Sequence, residues 1–176
     1  MRLSSPLPLK SFLKPKSKMS TSMSISSTSA IPTPIQPIFS STYSQFQGTQ
    51  ELSTLLKPNG KWRLVENGRG IERRVRFRGF KKCWEFMDTV ASECVVQKHH
   101  PEWSNVYNTT FIRWTTHSPP GLSEKDVLMA RYCDEIAGKC GEVEDVGVDV
   151  LEESEVGREL VDRVGVEAGD CCVPKK

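Results

Sequence analysis

Between residues 47 and 140 the spacing of hydrophobic residues changes several times, and each change predicts an element of secondary structure. Residues 49–56 predict a short helix with Thr49 as its N-cap and its leucines on one side. Residues 62–65 predict a first strand. The turn signal Asn67-Gly68 then joins this strand to a second one, as in a hairpin.

The second predicted strand, from Ile71, alternates hydrophobic and charged residues. Ile71, Val75 and Phe77 share one side, which Arg73 interrupts once. The charged residues on the other side are Glu72, Arg74, Arg76 and Arg78. This alternation predicts a half-buried strand with a solvated charged row, although a phosphate or nucleic-acid patch stays open as an alternative.

Residues 80–98 predict a long amphipathic helix packed on the sheet. Its hydrophobic residues recur at steps of three and four: Phe80, Cys83, Trp84, Met87, Val90, Ala91, Cys94 and Val95. Residues 105–116 are rich in β-branched and aromatic residues and predict one long or two short strands. After a Pro-Pro-Gly breaker, a capping box of Ser123 and Asp126 opens a last helix that ends near Gly138.

The predicted order is therefore helix, two strands, helix, two strands, helix. Strands joined by short turns pair antiparallel, so the expected fold class is α+β, with a four-stranded antiparallel sheet and helices packed on one face. The opposite face and the sheet edge would need protection, which favours an oligomer.

The predicted domain, residues 47–140, lies between two segments of contrasting charge. The first 50 residues contain no Asp or Glu, and residues 1–46 are basic and rich in Ser and Pro. We expect a disordered leader there, either a mitochondrial transit peptide or a plain disordered tail. Residues 141–176 predict an acidic, mobile tail, because 141–170 hold eleven acidic and two basic residues. A weak helix is expected over 150–164.

Composition excludes several classes of protein. The net charge of +2 gives no overall field that would attract nucleic acid or a membrane surface. There is no apolar run of the length that a transmembrane helix needs. The six cysteines show no CxxC spacing, so we expect free thiols in a reducing compartment, without disulfides or a zinc site.

All three histidines lie within 20 residues of one another, at positions 99, 100 and 117. His99 and His100 follow the predicted long helix directly, and Pro101 restricts the backbone at His100. His117 ends the next strand run. Imidazoles exchange protons near neutral pH, so acid–base catalysis is one interpretation of the cluster. From the residues alone, metal binding and coincidence stay open.

Three sequence motifs make the segment recognisable. They are the runs HHPEWSNVYN and TTH, followed by GLSEKD. They closely resemble the pterin-4a-carbinolamine dehydratase family, also known as the dimerization cofactor of a homeodomain transcription factor. The family pattern of His-His-Pro, an aromatic residue, a His and an Asp is matched by 99–101, Tyr107, His117 and Asp126. Weaker similarity extends from about Glu51 to Ala137. Val95 and Lys98 stand where the family usually has acidic residues.

The resemblance implies a hydro-lyase that removes water from 4a-hydroxytetrahydrobiopterin and gives the quinonoid dihydropterin, as part of tetrahydrobiopterin recycling. It implies catalytic roles for His99, His100, His117 and Asp126 and no metal or organic cofactor. One of His100 and His117 would act as general base and the other as general acid. The pterin would contact Lys98, His99, His100, Thr115, Thr116, His117 and Ser118.

Two further expectations concern partners and location. Members of the family form dimers and tetramers, so we expect a homodimer or homotetramer. A protein partner is possible in the alternative hypothesis, a non-catalytic binding module that acts as a dimerization cofactor or coactivator. No direct contact with nucleic acid or membrane is expected. The leader favours a mitochondrial location, with cytoplasmic or nuclear location as the alternatives.

Overall fold

The computed structural model describes residues 34–143 and 157–165, all of which belong to one compact unit, Pro34–Lys176. Most of the expected leader (1–33) and most of the expected tail (144–156 and 166–176) lie outside the described residues. The elements in chain order are α1 (Gln45–Leu55), β1 (Arg63–Leu64), β2 (Gly70–Arg76), α2 (Phe80–Gln97), β3 (Glu102–Val106), β4 (Thr109–His117), β5 (Pro120–Gly121) and α3 (Glu124–Cys140). A fourth helix, α4, covers 157–165.

The strands form one antiparallel sheet in the order β1-β2-β4-β3, and β5 pairs with the end of β4. The predicted α+β class and element order are confirmed. The sheet has five strands where four were expected, because the Pro-Pro-Gly breaker itself contributes the two-residue strand β5. The long β2–β4 pairing runs from Gly70–Thr115 to Arg76–Thr109 and forms the centre of the sheet.

Helix α1 begins four residues earlier than the sequence indicated. Ser44 is the N-cap, and its side chain accepts a hydrogen bond from the backbone N–H of Gln47. Thr49 lies inside the helix, where its hydroxyl donates to the carbonyl of Gln45 at 2.8 Å. The prediction of Thr49 as the cap was wrong because Ser44 offers the same cap chemistry further upstream.

The core lies between one face of the sheet and helices α1, α2 and α3. Its largest fully buried side chains include Trp62, Phe77, Phe86, Ile112 and Trp114. Burial of each such side chain stabilises the fold by about 1.5–3 kcal/mol. Helix α3 ends in a left-handed residue, Gly141, three residues after the predicted stop.

The hydrophobic stripe of α2 is wider than the surface that the core covers. Cys83, Phe86 and Val90 are buried, but Trp84 is 55% exposed and Val95 is 79% exposed. The predicted stripe therefore contains two sets of residues, and only one of them packs on the sheet. Phe86 was left out of the predicted stripe, although it lies three residues after Cys83 and four before Val90.

The sequence predicted a plain solvated row of charged residues on β2. The structure shows that this prediction was wrong for Glu72. Glu72 is only 3% exposed and lies within 2.7–2.9 Å of guanidinium nitrogens of Arg63, Arg113 and Arg158. Arg158 belongs to α4, which lies on the sheet face opposite α1–α3. The hydroxyl of Ser104 in β3 donates to the carbonyl of Gly157 at 2.9 Å, and this contact fixes the start of α4 on the sheet.

Arg73 interrupts the apolar side of β2 for a structural reason. Its side chain is buried, and its guanidinium pairs with the carboxylates of Asp134 in α3 and Glu142 just after α3. The guanidinium carbon also lies 5.7 Å from the ring centroid of Trp62. Arg73 thus ties the C-terminal end of α3 to the middle of the sheet.

Candidate active site

A cavity of about 540 Å³ opens where the end of α2, the end of β4 and the start of α3 meet. All the side chains predicted to contact substrate line this one cavity: Lys98, His99, His100, Thr115, Thr116, His117 and Ser118. Its volume lies within the usual range for small-molecule sites, about 300–1,000 Å³. Asp126 is fully buried behind the wall and touches the cavity only through its neighbours.

The end of α2 places the first two histidines. Lys98 caps the helix in the left-handed region, at φ 50°, and turns the chain away from the helix axis. The backbone N–H of His99 donates to the carbonyl of Cys94 at 3.1 Å, which holds the turn. Pro101 then leads directly into β3, so both imidazoles lie at a fixed corner between a helix and a strand.

His99 is paired with Asp126. The Nε2 atom of His99 lies 2.7 Å from Oδ1 of Asp126, and the imidazole stacks on the indole of Trp114 at 5.4 Å between ring centroids. A carboxylate can only accept a hydrogen bond, so Nε2 carries the proton and donates it. The pair therefore fixes both the tautomer and the ring orientation of His99.

Asp126 also caps helix α3. Its Oδ2 atom accepts hydrogen bonds from the backbone N–H of Ser123 at 2.7 Å and from the hydroxyl of Thr116 at 2.7 Å. The predicted capping box of Ser123 and Asp126 is present. The two roles considered for Asp126, orientation of a histidine and helix capping, are thus carried by its two oxygen atoms.

His117 has a carboxylate partner of its own. Its Nε2 atom lies 3.2 Å from Oε1 of Glu102, the first residue of β3. Arg113 contacts Oε2 of the same carboxylate at 3.4 Å and also pairs with Glu72 and Asp162. The side chain of His117 is 43% exposed and lines the cavity, so an imidazole paired with a carboxylate stays accessible to a ligand.

Comparison with known proteins identifies the fold that carries this cavity. The family model described as pterin 4 alpha carbinolamine dehydratase matches residues 46–136, slightly more than half of the chain. The chain belongs to this family. The match includes the three histidines, Glu102 and Asp126, and it leaves residues 34–45 and helix α4 outside.

Relatives of the chain show the same extent of similarity. Two carry the name "Putative pterin-4-alpha-carbinolamine dehydratase". The relative from Burkholderia orbicola is 40% identical over 86 residues, which are 49% of this chain and 84% of the relative. The relative from Novosphingobium aromaticivorans is 44% identical over 81 residues, 46% of this chain and 84% of the relative. A crystal structure of a transcriptional coactivator/pterin dehydratase from Brucella melitensis is 34% identical, covers 54% of this chain and 97% of that chain, and has a TM-score of 0.48.

Within the pterin carbinolamine dehydratase domain, the aromatic residues of the motif do not line the histidine cavity. Tyr107 occupies the two-residue turn between β3 and β4 at φ 51° and is exposed. Trp103 packs against the core. The residues that depart from the family pattern also differ in placement, because Val95 is exposed on α2 while Lys98 lines the cavity.

Two sets of residues around the candidate site were missed by the sequence interpretation. Glu102 was missed because its contact with His117 depends on the β3–β4 register, in which Glu102 faces Arg113. The adjacent run His-His-Pro-Glu was the available signal. The second set, Ser40, Thr42 and Tyr43, lies in residues that were assigned to the leader and gave no periodic signal. Burial and the nearby carboxylate of Glu51 raise the pKa of Tyr43 to about 12.

His117, Thr115 and Thr116 also line a second cavity, of about 710 Å³, on the α4 side of the sheet. Its other walls carry ion-paired side chains, among them Glu72, Arg113 and Arg158. Only one of the three histidines reaches this cavity, whereas all three reach the smaller one. We therefore place the candidate active site in the smaller cavity.

No group of His, Cys, Asp and Glu side chains has a metal-binding arrangement in the part of the chain that the structure describes. No helix among the described residues is long and apolar enough to cross a membrane.

Proposed function

We propose that this protein is a dehydratase that removes water from 4a-hydroxytetrahydrobiopterin and gives quinonoid dihydropterin, as a step of tetrahydrobiopterin recycling. One observation carries the proposal: the three imidazoles line one cavity of about 540 Å³, and two of them are held by carboxylates. Membership of the pterin carbinolamine dehydratase family supports the substrate class.

The proposed reaction moves two protons and breaks one bond. A base removes the proton from the ring nitrogen beside the hydroxylated carbon, and the electron pair of that N–H bond forms a C=N bond. The bond between carbon 4a and the hydroxyl oxygen breaks, and an acid protonates that oxygen as it leaves as water. Because no electron leaves the pterin overall, the proposal includes no metal and no organic cofactor.

The geometry favours a specific division of roles. The Nε2 atom of His117 lies 3.2 Å from a carboxylate oxygen of Glu102, which favours a proton on Nε2 and leaves Nδ1 as the unprotonated nitrogen, so we assign His117 as the general base. His100, which is exposed and lines the same cavity, is then the general acid. His99, fixed by Asp126 and Trp114, orients the pterin. Each proton transfer of this kind contributes about 100- to 10,000-fold to the rate.

Stopped-flow absorbance of the 4a-hydroxypterin tests the proposal. The wild type is expected to accelerate its disappearance over buffer, and His100→Ala and His117→Ala are each expected to lose most of that acceleration. Tyr107→Ala is the control, because Tyr107 belongs to the same motif but lies outside the cavity. A wild-type rate equal to that of buffer would end the dehydratase proposal.

A second candidate function is supported by the outer side of α2. Phe80, Trp84, Val95 and Val96 are exposed there, and an apolar surface of this kind favours contact with another protein chain. The candidate is a binding module whose role does not require the histidines. A homodimer or homotetramer would use the same surface, and light scattering of the wild type against Trp84→Glu measures that association.

The location of the protein is a separate proposal. We propose that residues 1–44 direct it to mitochondria, on the basis of their basic, Ser-rich, acid-free composition. A fusion of these residues to a fluorescent reporter tests this directly. A diffuse cytosolic or nuclear signal would refute it.

A further inference from the structure

Residues 36–43, which precede the family domain, are held against the cavity as an ordered strap. The backbone N–H of Ile38 donates to the carbonyl of Gly68 at 2.8 Å. Leu122 and the strap exchange two further bonds, from Leu122 N–H to the Ile38 carbonyl and from Ser40 N–H to the Leu122 carbonyl, both at 2.8 Å. The strap therefore adds backbone pairing on both sides, at the β1–β2 turn and at the start of α3.

Three glycines leave the space that the strap occupies. A Cβ atom on Gly68 would lie 2.3 Å from the carbonyl oxygen of Gln36. One on Gly121, where φ is +131°, would lie 2.7 Å from backbone atoms of Phe39 and Ser40. One on Gly48 in α1 would lie 2.4 Å from the ring of Phe39. Any side chain at these positions would collide with the strap, so the domain surface is shaped to receive it.

Three residues of the strap that carry hydroxyl groups lie along the cavity that the three histidines line. Ser40, Thr42 and Tyr43 are all part of its wall. The Oγ of buried Ser40 lies 3.3 Å from Oγ1 of Thr42, whose residue is exposed. The hydroxyl oxygen of Tyr43 is buried and lies near the carboxylate of Glu51.

These hydroxyls match the chemistry of a pterin edge. The pyrimidine ring of a pterin presents N–H donors next to a carbonyl acceptor, and a hydroxyl can both donate and accept. Polar ligand groups that enter a closed cavity without a partner lose affinity, so a wall of hydroxyls suits them. The histidines must face the reacting carbon and nitrogen of the pterin. The polar edge of its pyrimidine ring must therefore contact a different wall of the cavity.

We propose that the strap is a wall of the pterin site and that the hydroxyls of Ser40 and Thr42 hydrogen-bond the polar edge of the bound pterin. The inference rests on the proposed function for the identity of the ligand. It adds binding residues that lie outside the region matched by the family, residues 46–136. Affinity for the pterin then depends on a segment that the family domain does not supply.

The experiment uses full-length Thr42→Val and the double variant Ser40→Ala/Thr42→Val. Thr42→Val keeps the shape of the side chain and removes its hydroxyl at an exposed position, so folding is retained. Thr89→Val is the matched control, because the Thr89 hydroxyl bonds only the Glu85 carbonyl within α2 and lies outside the cavity. The probe is 7,8-dihydrobiopterin, which lacks the 4a-hydroxyl, with its dissociation constant measured by calorimetry beside kcat and KM for the 4a-hydroxypterin.

Thr42→Val is expected to raise the dissociation constant and KM about 3- to 10-fold, the effect of losing one neutral hydrogen bond, with kcat within twofold. The double variant is expected to raise both further, and Thr89→Val to change neither. An unchanged dissociation constant in both strap variants would overturn the proposal, as would a fall in kcat at constant KM.

The same measurements separate this proposal from the proposed function. A wild type that binds 7,8-dihydrobiopterin but does not accelerate dehydration would end the dehydratase proposal, and the strap would then be judged on the dissociation constants alone. A wild type that does not bind 7,8-dihydrobiopterin would overturn the strap proposal.

Discussion

The imidazole of His99 and the carboxylate of Asp126 form a 2.7 Å contact in which the carboxylate is fully buried. The second oxygen of Asp126 holds the first turn of α3 through Ser123. The side chain of Asp126 therefore both pairs with His99 in the candidate active site and caps helix α3. This connection makes it possible to separate structural from catalytic effects by substitution.

We expect Asp126→Asn to lower kcat about 10- to 100-fold, because an amide no longer imposes the Nε2–H tautomer on His99. Ser123→Ala is the comparison variant. It removes a cavity-lining hydroxyl that donates to Oδ2 of Asp126 at 2.9 Å and costs about 0.5–2 kcal/mol of stability, while Oδ1 of Asp126 still accepts from His99. Stopped-flow turnover and urea unfolding measure the two effects. Equal losses of kcat in both variants would assign Asp126 a capping role alone.

Glu102→Gln tests the carboxylate that holds His117. We expect a loss of kcat of about 10- to 100-fold and a mixed tautomer at His117, because a glutamine amide can donate to Nε2 as well as accept from it. Long-range ¹H–¹⁵N NMR of the histidine ring reads the tautomer directly. Glu85→Gln changes an exposed carboxylate that pairs with Lys82 on α2, and it should leave both readouts unchanged. A single tautomer in Glu102→Gln would contradict the positioning role.

Glu72→Gln tests the buried ion cluster beneath α4. Since Glu72 balances three guanidinium groups at 3% exposure, we expect the free energy of unfolding to fall by about 3–5 kcal/mol. Glu135→Gln, which breaks an exposed pair with Lys139, should cost less than about 1 kcal/mol. Urea unfolding followed by tryptophan fluorescence compares the two. Similar losses of unfolding free energy in the two variants would mean that solvent screens the charges around Glu72.

The stability of the protein should decline at alkaline pH. Burial raises the pKa of the Cys94 thiol from 9.0 to about 11 and that of Tyr43 from 10.0 to about 12. Between pH 9 and 12 the unfolded chain therefore releases protons that the native state retains, and the free energy of unfolding falls as pH rises. Urea titrations at pH 8, 9, 10 and 11 measure this. Cys94→Ala should show a shallower decline, and an unchanged slope would remove Cys94 as a cause.

Much of the fold was predictable because local signals agree with tertiary packing. The Ser123–Asp126 capping box and the long α2 helix both depend on neighbours within a few residues. The errors arose where the outcome depends on distant contacts. The exposed side of α2 and the burial of Glu72 are decided by which surfaces face one another, and periodicity carries no information on that choice.

The candidate site also contains residues that the sequence predicted and residues that it did not. The histidines were recognisable because they form a motif, and the structure places them around one cavity. Glu102 requires knowledge of the β3–β4 register, and Ser40 and Thr42 require knowledge that a Ser-rich segment folds back on Leu122. Serine and threonine residues in a segment whose composition is typical of disorder do not by themselves indicate that the segment is ordered.

Helix α4 changes the reasoning about self-association. An unprotected sheet face was the physical ground on which the sequence suggested a second copy. In the described structure that face is already occupied by residues 157–165, with Val161 buried on it. Helix α4 of the same chain thus covers this face of the sheet. Among the described residues, the exposed apolar side chains of α2, Trp84 and Val95 among them, remain available to a second copy.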